Sequence, residues 1–127
     1  MSDLLAGDSI TCSGATFQNF HNFVSNASGG ADAPTADEVF VTAVNCDPTN
    51  MPNPTLIFQS ANWNVNSGQT IDTAFSFDVV GSVSLIQLAL LAFDAQSGGQ
   101  IHIEESVFDA LNNNIVYLAE DLRTLTA

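Results

Sequence analysis

The chain has no lysine and a single arginine, Arg123, and this shortage of positive charge argues against several functions. Its 127 residues include fourteen aspartates and glutamates, so the formal net charge is −13. Nucleic-acid binding is nearly excluded, because phosphate contacts require several basic side chains that displace counterions. Binding to an anionic membrane surface is disfavoured for the same reason. A Schiff-base enzyme and a lysine–asparagine cross-linked pilin both need a lysine amine, which the chain does not contain.

The sequence also lacks a long apolar run, and its first residues do not have the pattern expected of a secretory leader. Its longest apolar run, residues 85–93, is interrupted by Gln87 and is shorter than the roughly 20 residues that a membrane-spanning helix requires. We therefore expect no membrane insertion. The first seven residues contain neither the basic region nor the apolar region of a signal peptide, as expected for a start codon placed on a mature domain.

Cysteine is scarce, with Cys12 and Cys46 the two present. Neither belongs to a CxxC pair or lies near paired histidines, so a structural zinc site is a poor interpretation. The cysteines are then either two buried thiols or one disulfide. The disulfide would close a loop of roughly 35 residues and contribute about 3–4 kcal/mol of stability. Because other features point outside the cytoplasm, we predict that Cys12 and Cys46 are bonded.

What the sequence does contain is a hydrophobic fraction of 46%, which suffices for a core, arranged mostly with a period of two. In residues 71–80, for example, apolar and polar side chains alternate as in a half-buried antiparallel strand. In residues 17–24 the alternation places Phe17, Asn19, His21 and Phe23 on one face and Phe20 on the other. The predicted strands are 17–24, 39–44, 56–58, 63–65, 71–80, 85–93, 101–107 and 115–118. For residues 117–125 the pattern fits either a strand or a helical turn.

Turn-forming residues separate these runs at intervals of ten to fifteen residues, which is typical of sandwiches and jelly rolls. We therefore predict an all-β fold with little helix. Residues 1–127 are expected to form a single antiparallel β-sandwich or jelly-roll-like domain.

The segment Gly7-Asp8-Ser9 resembles the first block of the SGNH or GDSL hydrolases, in which the serine is the nucleophile. Those enzymes need a buried strand before the serine. Here residues 2–6 precede Gly7, and they are too few and too polar to form such a strand. The later family blocks are absent, and neither His21 nor His102 has the spacing of an oriented base. His102 and Glu104 have the same-face spacing of a weak dyad, but an inter-strand or surface histidine is the simpler interpretation. We expect no catalytic residues and no enzyme.

Oxygen-bearing side chains concentrate in the predicted loops, where they could serve as ligands for Ca²⁺. Asp47, Asp94 and Asp109 are the candidate ligands, although neither an EF-hand spacing nor a nonapeptide repeat is present. Solvated polar loops without a metal are the alternative, so the predicted cofactor is either none or Ca²⁺. Trp63 is either a core residue, as its neighbour Val65 suggests, or a platform for a sugar.

Several pieces of the chain, taken in order, resemble the PEP-CTERM (exosortase-sorted) surface proteins of bacteria. The pieces are Gly7-Asp8, Phe17-Gln-Asn-Phe20, the Gly29-Gly30 loop, the valine-rich strand 39–44, Asn53-Pro54, the aromatic segment 58–63, Gly68-Gln-Thr-Ile-Asp72 and residues 98–105. The resemblance covers about residues 7–118, and the Pro-Glu-Pro sorting tail of the family does not appear. It implies export and a role at the cell surface or in a matrix, and it implies no reaction.

These observations together predict a secreted, non-catalytic structural or interaction domain of the cell surface or extracellular matrix. Its expected partners are copies of itself or other surface components. Self-assembly is physically reasonable, because the lysines that usually guard strand edges are absent. The charge of −13 would keep monomers apart until divalent cations screen it. The alternative is a carbohydrate-binding module with a polysaccharide as partner.

Overall fold

The structure, a computed structural model, describes residues 1–49, 53–81, 100–108 and 115–124. For the last two ranges it describes the backbone and its pairing. The elements in chain order are α1 (Ser2–Leu5), β1 (Ile10–Cys12), β2 (Ala15–Ser28), a 3-10 helix (Ala36–Glu38), β3 (Phe40–Val44), β4 (Thr55–Gln59), β5 (Thr70–Val80), β6 (Gln100–Phe108) and β7 (Ile115–Thr124). The predicted all-β class with little helix is confirmed.

All the strand pairs described are antiparallel, and they form three sheets. One sheet has three strands in the order β1-β2-β5, and the hairpins β3-β4 and β6-β7 form the other two. Of the segment 117–125 that the sequence left open, residues 117–124 belong to strand β7, and residue 125 lies outside the described residues. Assembly of the sheets into one sandwich stays a prediction. Among the described residues, no helix is long and apolar enough to cross a membrane.

A shared core joins the three-stranded sheet to the β3-β4 hairpin. Its buried members come from α1, β1 and β2, and they are Leu4, Cys12, Ala15, Phe17 and Phe20. Partly buried residues of β3, β4 and β5 pack against them, including Val41, Leu56 and Phe77. The ring of Phe58 in β4 lies 4.9 Å from that of Phe75 in β5, measured between centroids. Aromatic burial therefore supplies much of the contact between the two sheets.

Strand β2 departs from simple alternation, and the predicted placement of Phe20 is wrong. Its register against β5 shifts twice, between Gln18 and His21 and between His21 and Val24. Each shift adds one residue to β2, as in a β-bulge. The two extra residues bring Phe17, Phe20 and Phe23 to the same face, where their rings meet Phe77 and Phe75 of β5.

Asparagines make the two bulges sterically acceptable. Asn19 and Asn22 have φ values of 55° and 56°, in the left-handed region. Among residues with a side chain, asparagine enters that region most readily, because its short amide can bond locally. The sequence Phe-Gln-Asn-Phe-His-Asn-Phe of residues 17–23 thus repeats one pattern: a phenylalanine facing the core every third position, with asparagine in the left-handed residue before the next one.

Two other predicted strands need comment. Residues 63–65 do not form a strand; Val65 alone makes an isolated bridge, because turns occupy residues on both sides. The predicted central strand, residues 85–93, lies outside the described residues.

A disulfide joins the two sheets at one end. Cys12 closes β1, Cys46 follows β3 by two residues, and their Cα atoms are 4.4 Å apart. Cys12 is 1% exposed and belongs to the core, whereas Cys46 is exposed. The disulfide therefore links the three-stranded sheet, at a core position, to the exposed segment that follows β3.

Candidate functional site

Two adjoining hollows on the surface form a candidate ligand site, which we call the Asn62 groove. The first has a volume of about 210 Å³ and is lined by Asp37, Glu38, Phe40, Ser60, Ala61 and Asn62. The second has a volume of about 270 Å³ and is lined by Gly30, Ala31, Asp32, Ala61, Asn62, Asn64, Asn66 and Gln69. Both hollows are lined by Ala61 and Asn62, so they adjoin at these residues, between the segment before β3 and the segment after β4.

A capped 3-10 turn builds one wall of the groove. Thr35 caps this turn, and its backbone nitrogen and hydroxyl both donate to Oε1 of Glu38, at 3.1 and 2.9 Å. Asn62 donates from Nδ2 to the other carboxylate oxygen across the groove, at 2.5 Å. Pro34 before the turn and Val39 after it are almost fully buried, which anchors both of its ends.

These hydrogen bonds also fix the charge of Glu38. The bond from the Thr35 backbone lowers the pKa of Glu38 most, followed by that from the Thr35 hydroxyl, with a smaller contribution from Asn62. Each donor favours the ionised carboxylate over the neutral acid. Glu38 is therefore a charged and oriented acceptor at neutral pH.

The first residues of the chain support the same wall from behind. The Met1 amino nitrogen donates to the carbonyl oxygen of Val39 at 2.9 Å. The Ser2 hydroxyl donates to Oδ1 of Asp37. The second oxygen of Asp37 has no hydrogen bond among the described residues, so it remains open to a ligand in the groove.

Phe40 provides an exposed aromatic ring at one end of the groove. It follows Val39, which is 1% exposed, and strand alternation turns Phe40 outward so that 60% of it is exposed. Phe40 was not among the residues singled out from the sequence, which gave Trp63 as the candidate platform. The signal for Phe40 in the sequence was its position. It comes two residues after the Thr-x-x-Glu pattern of a capped turn, and directly after the apolar residue Val39.

Alternation builds the opposite wall from the sequence Asn-Trp-Asn-Val-Asn, residues 62–66. Val65 is 6% exposed, and Trp63 is half-buried with its Nε1 donating to Oγ1 of Thr73 at 3.0 Å. Asn62, Asn64 and Asn66 line the groove instead. Trp63 thus serves as an anchor to β5 and offers less exposed surface than Phe40.

The hydrolase-like segment forms a turn. Gly7 has a φ of 116°, which glycine adopts without steric cost, and the Asp8 nitrogen donates to the Asp3 carbonyl oxygen at 3.1 Å. Ser9 is exposed, and Nδ1 of His21 lies 2.6 Å from the carbonyl oxygen of Asn19. Within the part of the chain described with side chains, no imidazole is bonded to the Ser9 hydroxyl.

The remaining candidates are dispersed. His102 and Glu104 lie in β6 at positions of one face, and Glu104 is paired in register with Glu120 of β7. Asp47 accepts a hydrogen bond from the Thr49 nitrogen at 2.8 Å. Asp94 and Asp109 lie outside the described residues. Among the residues that are described, no group of three or more histidine, cysteine, aspartate or glutamate side chains could hold a metal ion.

Resemblance to known proteins could give an independent indication of what this groove does. The expected resemblance to the PEP-CTERM surface proteins depends on the order of short pieces such as Gly7-Asp8 and Asn53-Pro54, and it stays a prediction. Comparison of the whole chain with protein-family models, curated proteins and solved structures finds no match.

Proposed function

We propose that this chain is an exported, non-catalytic structural or interaction domain of a cell surface or extracellular matrix. The observation that carries the proposal is the disulfide between Cys12 and Cys46. Disulfides persist in oxidising compartments and are rare in the cytoplasm of mesophiles. This one begins at a core residue and links two sheets, so it bears on the stability of the fold itself.

The chemistry of the Asn62 groove supports binding rather than catalysis. A carboxylic acid that protonates a substrate needs a pKa raised toward neutrality. The hydrogen bonds from Thr35 and Asn62 instead lower the pKa of Glu38. Its partner Asp37 is held by the Ser2 hydroxyl. Both carboxylates are placed to accept hydrogen bonds, which is what a recognition surface requires.

The charge distribution is compatible with assembly that depends on cations. With fourteen acidic residues and one arginine, copies of the chain repel one another at low ionic strength. Screening by divalent cations would relieve that repulsion and allow strand edges without lysine to approach. The neighbouring copies would then be held by backbone pairing.

Labelling of intact cells that produce the chain tests the proposal. An antibody against the folded domain should stain unpermeabilised cells or their surrounding matrix, with an abundant cytoplasmic protein as the negative control. Staining that appears only after permeabilisation would overturn the assignment to the cell surface.

A further inference from the structure

We propose that the Asn62 groove binds a saccharide without negative charge, with Phe40 as the ring on which one sugar unit stacks. The inference rests on the proposed function, since a surface or matrix domain meets polysaccharide as its ordinary surroundings. It assigns the binding surface to Phe40 and the asparagines of residues 62–66, and it gives Trp63 a structural role.

The exposed ring is the apolar half of the site. An isolated exposed phenylalanine has no special meaning, because single apolar residues are common on protein surfaces. Phe40 differs because it lines a hollow together with two carboxylates, a hydroxyl, an amide and the small side chain of Ala61. Ligand sites typically combine an apolar or aromatic surface with a few fixed polar groups. The C–H face of a pyranose ring has the shape and polarity to lie on such a phenyl ring.

Amide side chains form the polar half. An amide both donates and accepts, as does a sugar hydroxyl, so the two match without a net charge. Asn64 and Asn66 form no side-chain hydrogen bonds with the described residues, and Asn62 uses only Nδ2, toward Glu38. Three amides spaced two residues apart therefore present free donors and acceptors along the groove.

The Glu38 carboxylate and the Asn62 amide are held in place before any ligand arrives. Glu38 accepts three hydrogen bonds, from Thr35 twice and from Asn62 once. Behind the asparagines, Val65 is buried and Trp63 is bonded to Thr73. Groups fixed in this way lose little conformational entropy on binding, which favours affinity for a weakly binding ligand such as a sugar.

Charge decides which saccharides are accepted. Asp32, Asp37 and Glu38 line the two hollows, and none of the lining residues that the structure describes is basic. A uronic acid or a sulfated sugar would meet these carboxylates without a compensating cation, and like charges at short range reduce affinity. Neutral sugars avoid this repulsion, so we assign the site to them.

Isothermal titration of the full chain with defined hexasaccharides tests the inference. The neutral probes are cellohexaose, xylohexaose, mannohexaose and N-acetylated chitohexaose, and the anionic probe is an alginate hexamer. At least one neutral probe should bind in the millimolar range or tighter, and alginate should not bind. Phe40→Ala should weaken that binding about tenfold, because a single aromatic contact is lost. Phe40→Leu should weaken it similarly if flat stacking matters.

Val24→Ala is the matched control, since Val24 is 51% exposed and does not line the groove. It should leave binding unchanged. The inference is overturned if none of the neutral probes binds, if alginate binds as well as they do, or if Phe40→Ala binds like the wild type. These outcomes say nothing of export, which the labelling of intact cells decides separately.

Discussion

The two bulges of β2 give the most specific test of how this sequence sets its fold. Asn19 and Asn22 occupy left-handed backbone positions and bring Phe17, Phe20 and Phe23 to one face. Replacing either asparagine by valine should destabilise the protein, because a β-branched side chain fits that region poorly. Asn22→Gly should be close to neutral, because glycine adopts the same backbone angles freely. Asn19→Gly should lose only what the side-chain hydrogen bond of Asn19 contributes.

The expected loss of stability differs between the two sites. At Asn22 no side-chain hydrogen bond is formed with the described residues, so Asn22→Val should cost only the steric penalty, about 1–2 kcal/mol. At Asn19 the side-chain Nδ2 also donates to Oδ2 of Asp78 at 3.0 Å. Asn19→Val should therefore cost about 0.5–1.5 kcal/mol more, the usual net value of a hydrogen bond.

Urea denaturation of the wild type and the four variants measures these differences as shifts of the midpoint at constant slope. Each glycine variant is the control for the valine variant at the same position. If Asn22→Val proves as stable as Asn22→Gly, the left-handed bulge does not constrain β2 and the explanation for the three inward phenylalanines fails.

Three further predictions concern the disulfide, Glu38 and cations. Replacing both Cys12 and Cys46 by alanine should lower the free energy of unfolding by about 4 kcal/mol, from the loop entropy of a 34-residue separation; an unchanged urea midpoint would contradict this. Thr35→Ala should raise the pKa of Glu38, because the hydroxyl that donates to the carboxylate is lost. NMR titration of the Glu38 carboxyl carbon measures this change. In the wild type, the stabilisation from the Glu38 bonds is present above the unfolded-state pKa and is lost as the pH falls through the lowered folded-state pKa. Light scattering should show larger particles in millimolar Ca²⁺ than in sodium chloride of equal ionic strength, and monomers under both conditions would argue against assembly.

Much of the local structure could be predicted from the sequence, because it depends on patterns confined to one strand. In β5, Ile71, Thr73, Phe75 and Phe77 alternate with small or polar residues. This pattern predicts the alternation of half-buried and exposed positions that the structure shows over residues 71–77. Strand β2 follows the same rule until Asn19, where a bulge shifts the pattern by one residue. Period-two reasoning cannot detect that shift unless the left-handed preference of asparagine is considered together with the phenylalanine spacing.

The groove was harder to predict, because its walls are distant in sequence. The pairing of β3 with β4, in which Phe40 lies opposite Gln59, brings Glu38 to Asn62. Trp63 attracted attention because tryptophan is common in sugar sites, yet its indole hydrogen bond to Thr73 fixes it to β5. Which aromatic ring is exposed depends on strand register, and register depends on tertiary contacts.

The state of the two cysteines in the chain as cells make it tests the central claim most directly. Protein taken from producing cells into a denaturing alkylating solution, without reductant, is weighed by mass spectrometry. We predict that neither Cys12 nor Cys46 is alkylated, because under the proposed export their disulfide forms in an oxidising compartment. Alkylation of both cysteines would contradict the account, since a chain with free thiols has not left the reducing cytoplasm.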